Sequence, residues 1–200
     1  MKGGRVHTAN RQLEVIVGCM FSGKTEELIR RLERVRIAGR SILLFKPTID
    51  DRYDTNAVVT HYGREFAAHL LEPGQETLET LRKRVGEEAL ERAAVVAFDE
   101  GNFFSERLPG LCQQLVGMGK RVIVAGLDLT FAGEPFEPMP ELMALADQVD
   151  KLQAVCVVCG GVATRSQRLI DGKPAPADGP VIQVGGVGSY EARCRACYER

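Results

Sequence analysis

Apolar residues along this chain gather into short, nearly unbroken runs, and between the runs they recur at helical spacing. Four runs stand out: "LEVIVG" (residues 13–18), "SILLFK" (41–46), "AVVAF" (94–98) and "RVIVAGL" (121–127). Each is too short for an average helix and is bounded by glycine, proline or charge, which predicts strands buried on both faces. Residues 24–39 follow the first run, with Leu28, Leu32 and Val35 on one face and Glu26–Arg30 and Glu27–Arg31 as i,i+4 pairs. That pattern predicts a helix, with Gly39 as its natural stop and Pro47 ending the second strand. Helical spacing resumes over residues 77–90 through Leu78, Leu81 and Val85, and a further helix is expected over 105–118. Solid apolar strands alternating with amphipathic helices indicate an α/β fold with a parallel sheet covered on both faces.

The pattern lapses in two places. Residues 48–66, "TIDDRYDTNAVVTHYGREF", are polar and weakly patterned, which reads as a long excursion or flexible loop, a kind of segment often used for function. After about Ala146 the alternation fades, and the remainder, rich in Pro and Gly, reads as a small β-rich unit with turns. At 200 residues the chain suits one domain with an appendage. A formal net charge of −1 gives no general attraction to nucleic acid or anionic lipid, though a local positive site remains compatible with it. No apolar run reaches the length of a membrane span, and "MKGGRVHTANRQLE" lacks the apolar core of a signal peptide. The expectation is a cytoplasmic protein with no membrane partner and a short N-terminal tail.

The junction of the first strand and first helix carries the sharpest motif. "GCMFSGKT", Gly18 to Thr25, fits G-x-x-x-x-G-K-[ST] in the strand-to-helix context that the motif requires. Its backbone N–H groups (Gly18, Cys19, Met20, Phe21, Ser22, Gly23) would surround phosphate oxygens, aided by the field of the helix N-terminus. Lys24 would reach the outer phosphates, and Thr25 would hold Mg²⁺. A chance glycine turn with a surface lysine is the plain alternative, and the flanking elements argue against it. A nucleoside triphosphate is therefore the expected ligand. The usual companion of such a loop is an aspartate at the end of another buried strand. "VVAFDEGNFF" ends the third run with Asp99 and Glu100, and Asp99 suits that metal-binding role.

Six cysteines divide into two isolated residues, Cys19 and Cys112, and two C-x-x-C pairs, Cys156/Cys159 and Cys194/Cys197. Four thiolates at that spacing suit tetrahedral zinc, and a site filled entirely by protein is structural rather than catalytic. Two redox dithiols are the alternative. Cys19 and Cys112 are read as ordinary small apolar residues.

Taken together, "GCMFSGKT", "DEGNFF", "AGLDLTF" and the tail "VGGVGSYEARCRAC" after an earlier "CVVC" resemble the type II thymidine kinase family, in the same order over nearly the whole chain. The resemblance implies a P-loop (RecA-like) parallel sheet flanked by helices over residues 12–150, after a tail over 1–11. A zinc-binding β-rich domain with a lasso-type, nucleoside-closing loop would occupy residues 151–200. It implies γ-phosphate transfer from ATP to the 5′-hydroxyl of thymidine in nucleotide salvage, with Mg²⁺ and structural Zn²⁺. Glu100 becomes the general base, Asp99 and Thr25 hold Mg²⁺, and Arg52 and Asn102 join the phosphate site. The nucleoside pocket would draw on Met20, Phe103, Leu127, Phe131 and Ser166, closed by Val181, Ile182, Gln183, Val184, Gly185 and Tyr190. Phe104 is expected to point inward. A homotetramer and feedback inhibition by dTTP are implied on the same ground.

Duller readings stand beside these. Phe103 is then a core residue, Tyr190 packs against the zinc unit, and Arg52 is a solvated loop charge. Three positions depart from the family pattern: Asn102 stands where Gln is usual, Cys19 where Pro is frequent, and Ser166 where Thr is usual. A pocket discriminates one methyl group by about 1–3 kcal/mol, so deoxyuridine is expected to be accepted more weakly. A rival of another class is a P-loop ATPase whose zinc module binds nucleic acid, which the near-neutral charge disfavours. A zinc-braced kinase acting on AMP fits poorly, because here the cysteines follow the α/β core instead of interrupting it.

Overall fold

The computed structural model describes residues 11–48, 57–59, 65–176, 178–180 and 188–199, with backbone alone at 57–59 and 65. In chain order, strand β1 (Gln12–Gly18) leads into helix α1 (Lys24–Ile37) and strand β2 (Ile42–Pro47). Short strands β3 (Ala57–Val59), β4 (Glu65–Ala67) and β5 (His69–Leu71) follow, then α2 (Leu78–Val85), α3 (Glu87–Arg92) and β6 (Val95–Phe98). A 3₁₀ turn (Gly101–Phe103) precedes α4 (Leu108–Gly117), β7 (Arg121–Gly126), α5 (Met139–Leu145) and β8 (Gln148–Leu152). The remaining strands are β9 (Ala154–Val155), β10 (Val162–Ala163), β11 (Arg165–Ile170), β12 (Lys173–Pro174) and β13 (Tyr190–Arg193).

Six strands form the main sheet in the order β5-β2-β6-β7-β1-β8, and every neighbouring pair is parallel. Because side chains alternate along a strand, each apolar run supplies both faces. Leu13, Val15, Val17, Phe45, Phe98 and Val124 pack on one face with Leu111, Leu115 and Leu142 from α4 and α5. Ile16, Leu44, Ala97 and Ile123 pack on the other with Leu28, Ile29 and Leu32 of α1. The four runs thus become the four central strands.

The sequence reading needs correction at several elements. The helix expected over 77–90 is two helices, because Gly86 at φ 86°, ψ 149° leaves helical geometry between them. Its N–H donates to Arg82 O and its carbonyl accepts from Leu90, so one glycine ends α2 and opens α3. The helix expected from 105 starts at Leu108, where Pro109 suits a first turn that needs no N–H. Within the polar stretch 48–66, the described part holds β3 and the first two residues of β4, and these two strands pair antiparallel along their whole length. After Ala146 the main sheet continues: β8 adds a sixth strand beside β1, and its mostly exposed QVDKL sequence concealed it. Gly39 does terminate α1, at φ 66°, with Arg40 N–H donating to Val35 O.

Beyond Leu152 the chain forms a β9–β10 hairpin and a small antiparallel sheet, β12-β11-β13. No helix among the described residues is long and apolar enough to cross a membrane.

Candidate active site and metal centre

The ends of β1, β6 and β7 bring the predicted motifs to one edge of the sheet. Gly18 sits at φ 149°, and a Cβ there would lie 2.5 Å from Leu152 O and 2.7 Å from Ser22 Oγ, so glycine alone fits. Gly23, at φ 83° and ψ 24°, caps α1 without a side-chain hydrogen bond, leaving the first-turn N–H groups for an anion. Phe21 at the loop tip also takes a left-handed backbone, at φ 63°. Ser22 Oγ donates to Cys19 O at 2.8 Å, and Lys24 Nζ donates to the same carbonyl at 2.9 Å. Loss of hydration pushes the Lys24 pKa down, and the charge of Glu100 opposes that shift most.

Asp99 is buried at the end of β6, and Thr25 Oγ1 donates to its carboxylate at 3.3 Å. The two residues expected to hold magnesium are thus adjacent, and their oxygens are of the hard type that Mg²⁺ takes. Glu100 follows at φ 53°, ψ 44°, a left-handed conformation uncommon for a residue with a Cβ. That turn separates two consecutive carboxylates, and the Glu100 N–H donates back to Asp99 Oδ1 at 3.0 Å.

Asn102 is buried, and its Oδ1 accepts the Leu127 N–H at 2.8 Å. Its Nδ2 finds no partner among the described residues. The amide oxygen thus joins the acid turn to the strand end carrying Leu127, a contact unforeseen in the phosphate role expected for Asn102. Phe103 is half-buried and meets Phe136 edge-on at 6.0 Å between centroids. Phe104 is buried edge-on against Phe98 at 5.8 Å, inward as expected.

Met20 and Leu127 are half-buried, and Phe131, Ser166 and Tyr190 are buried. Ser166 Oγ accepts the Met20 N–H at 2.9 Å, so this hydroxyl holds the phosphate loop. Tyr190 packs under the Arg168 guanidinium and accepts a hydrogen bond from it. Arg52 and the closing residues Val181, Ile182, Gln183, Val184 and Gly185 lie outside the described residues.

The sulfur atoms of Cys156, Cys159, Cys194 and Cys197 lie within 4.8 Å of one another, with Cys159 and Cys194 Sγ 3.7 Å apart. A tetrahedral zinc with Zn–S of about 2.3 Å requires sulfurs about 3.8 Å apart, so the four residues fit that ion. Hydrogen bonding, led by the Cys194 backbone, lowers the Cys156 pKa and favours a thiolate there. Cys19 and Cys112 are buried, and burial pushes both thiols up, in keeping with an apolar role. Cys19 also packs with Cys156, Ala163 and Ala192, so the phosphate loop rests on the metal unit.

Three residues escaped the sequence reading. Tyr198, just after the last cysteine, donates to Phe131 O at 2.5 Å. Asp128 is buried beside Leu127 and pairs with Lys151 Nζ at 2.7 Å. Arg168 is buried among the pocket residues, although "RSQRL" reads like an ordinary half-solvated strand. Only the β11–β13 register, which pairs Arg168 with Tyr190, reveals it.

A family model described as "Thymidine kinase" matches residues 11–198. Among curated relatives, the thymidine kinase of Halobacterium salinarum is 50% identical over 186 residues, covering 93% of each chain. That of Chloroflexus aurantiacus is 54% identical over 192 residues, covering 94% of each. That of Haloquadratum walsbyi is 44% identical over 219 residues, covering 97% of each.

Proposed function

The chain belongs to the thymidine kinase family, and on that premise we propose that it transfers the γ-phosphate of ATP to the 5′-hydroxyl of thymidine, giving dTMP for nucleotide salvage. The observation that carries the reading is the paired acid turn facing the phosphate loop, with Asp99 beside Thr25 and Glu100 turned out of line by its left-handed backbone.

In this reading the N–H groups of residues 18–25 and Lys24 hold the donor phosphates, with Arg52 and Asn102 near them. Thr25 and Asp99 would hold Mg²⁺, which when bound would supply charge neutralisation at the donor phosphates. Glu100 accepts the proton from the 5′-hydroxyl as that oxygen attacks, and positioning and charge neutralisation carry the remainder of the barrier. Met20, Phe103, Leu127, Phe131 and Ser166 surround the nucleoside, and residues 181–185 with Tyr190 close over it. Residues 12–150 form the nucleotide-binding part and 151–200 the part that binds zinc and closes on the nucleoside. Structural Zn²⁺ on the four cysteines braces both ends of the segment carrying that closure. Family membership also supports a homotetramer, feedback inhibition by dTTP and a cytoplasmic setting without nucleic-acid or membrane partners.

The test is ATP-dependent phosphorylation of a nucleoside panel by the purified zinc-loaded protein. Thymidine is expected to be the best acceptor and deoxyuridine a weaker one. Hydrolysis of ATP that DNA stimulates and thymidine leaves unchanged would replace this reading with a nucleic-acid-dependent ATPase.

A further inference from the structure

Arg168 is 2% exposed, yet it lies on a small sheet next to the surface. Burying a guanidinium is costly unless its charge and its directed N–H groups are all served. Here its carbon lies 3.7 Å above the centroid of Phe131 and 5.4 Å from that of Tyr190. Its Nε donates to Tyr190 Oη at 3.0 Å, and its Nη1 donates to Pro180 O at 2.5 Å. Backbone geometry fixes its place: it pairs with Tyr190 across β11 and β13, and its carbonyl accepts the Ala175 N–H. Gly179 closes the stack, since a Cβ there would lie 3.7 Å from both Arg168 Nη1 and the tip of Phe131.

One cation therefore touches an aromatic face, the hydroxyl of a second aromatic and a carbonyl immediately before residue 181. Those groups come from three separate stretches of chain. We propose that Arg168 is a positioning residue for nucleoside binding, clamping the Phe131 ring and the Tyr190 hydroxyl in one arrangement and anchoring the chain at Pro180. The inference rests on the nucleoside reading of this pocket. It goes beyond that reading by assigning the pocket's order to a residue behind its walls. The planar guanidinium is essential to the role, because it offers a flat face to Phe131 while its edge donates in two fixed directions. A lysine ammonium, a compact charge without a plane, serves one of these contacts at a time.

The experiment measures Michaelis constants for thymidine and ATP, with kcat, in the wild type, Arg168→Met, Arg168→Lys, Tyr190→Phe and the Arg168→Met/Tyr190→Phe pair. Wild-type turnover across the nucleoside panel comes first, and its failure with thymidine sinks the substrate assignment alone. The same comparison then proceeds with whichever nucleoside is the acceptor. Arg168→Met and Arg168→Lys are expected to raise the nucleoside KM about tenfold or more while the ATP KM moves less than about twofold. Tyr190→Phe is expected to cost less in the Arg168→Met background than in the wild type, because the hydrogen bond between the two side chains is already gone. A nucleoside KM near wild type in Arg168→Lys overturns the proposal, as do fully additive losses in the pair. If Arg168→Met fails to retain zinc and a cooperative unfolding transition, Arg168→Lys and Tyr190→Phe decide the matter through the same KM split. Equal losses in both substrates would mark a general structural role and overturn the proposal as well.

Discussion

The side-chain oxygen of Asn102 accepts the backbone N–H of Leu127 at 2.8 Å, bridging the acid turn after β6 and the strand end after β7. The approach is close because Gly126 has no side chain: a Cβ there would stand 3.0 Å from both Asn102 N and Oδ1. Asn102→Ala leaves a buried N–H unsatisfied, so a loss of about 1–3 kcal/mol is expected. Gly126→Ala overpacks the same contact and is expected to cost about 1–3 kcal/mol. Since both disrupt one junction, the double variant should lose less than the sum. Urea unfolding of the three variants checks this, and strict additivity would show that the two residues act independently.

Glu100 combines the proposed base with a strained backbone. Glu100→Gln keeps the shape of the side chain but cannot take a proton, so kcat is expected to fall by about 10²–10⁴-fold. Binding of ATP, followed by calorimetry, should stay within a few-fold of wild type. Glu100→Gly should be equally inactive yet more stable by about 1 kcal/mol, because glycine carries no penalty at φ 53°. Near-normal turnover in Glu100→Gln would remove the proton-transfer role, and a less stable Glu100→Gly would remove the strain argument.

How much of this could be read from the chain depended on how local the cause was. "LEVIVG", "SILLFK", "AVVAF" and "RVIVAGL" were legible because central parallel strands are buried on both faces and tolerate few polar gaps. The edge strands β5 and β8 were not, since an edge strand such as QVDKL keeps much of its surface in water and loses the apolar signal. The phosphate loop, the acid pair and the cysteine pairs follow rules of spacing within a few residues. Arg168 and Tyr198 act through partners 12–67 residues away, and spacing contains no trace of such contacts. Ser166 lay between these cases: the sequence reading expected it in a nucleoside pocket, but had no sign that its hydroxyl accepts the Met20 N–H across 146 residues.

The cysteine cluster makes contacts beyond the segment that a bound zinc is proposed to brace. Tyr198 ties the last C-x-x-C turn to Phe131, and Cys19 packs against Cys156, Ala163 and Ala192. Removal of zinc is therefore expected to weaken ATP as well as thymidine binding, because the phosphate loop loses part of its support. Free energies of about 10–16 kcal/mol for structural zinc sites are large enough to control the folding of so small a unit. Calorimetric titration of chelator-treated protein with ATP checks this, with re-addition of zinc as the control. Undiminished ATP affinity in zinc-free protein would confine the metal to the nucleoside side.

On the face of the sheet that α1 covers, buried Glu14 accepts hydrogen bonds from Arg31 Nη1 at 2.7 Å and from Arg121 Nε and Nη2 at 2.5 and 2.9 Å. Arg31 also pairs with Glu27 and with Asp150, each at 2.8 Å, and Gln12 donates to Glu14 from the same strand. Burial pushes the Glu14 pKa up, but the hydrogen bonds led by Arg121 outweigh it and hold the carboxyl below its usual 4.5. A carboxylate with a depressed folded-state pKa stabilises the fold above its unfolded pKa and loses that contribution as pH falls through the folded value. Glu14→Gln takes the carboxylate away from half-buried Arg121 and leaves buried Arg31 with Glu27 and Asp150 alone, and a loss of about 3 kcal/mol at pH 7 is expected. As pH falls below about 4.5 the carboxyl takes up a proton first in the unfolded chain and, lower still, in the folded protein, so the gap between the two proteins should narrow. Urea unfolding of both proteins at neutral and acid pH measures that gap directly. Comparing the two proteins cancels the acid sensitivity of every other carboxylate, so a gap independent of pH would show that the Glu14 charge contributes nothing to the network.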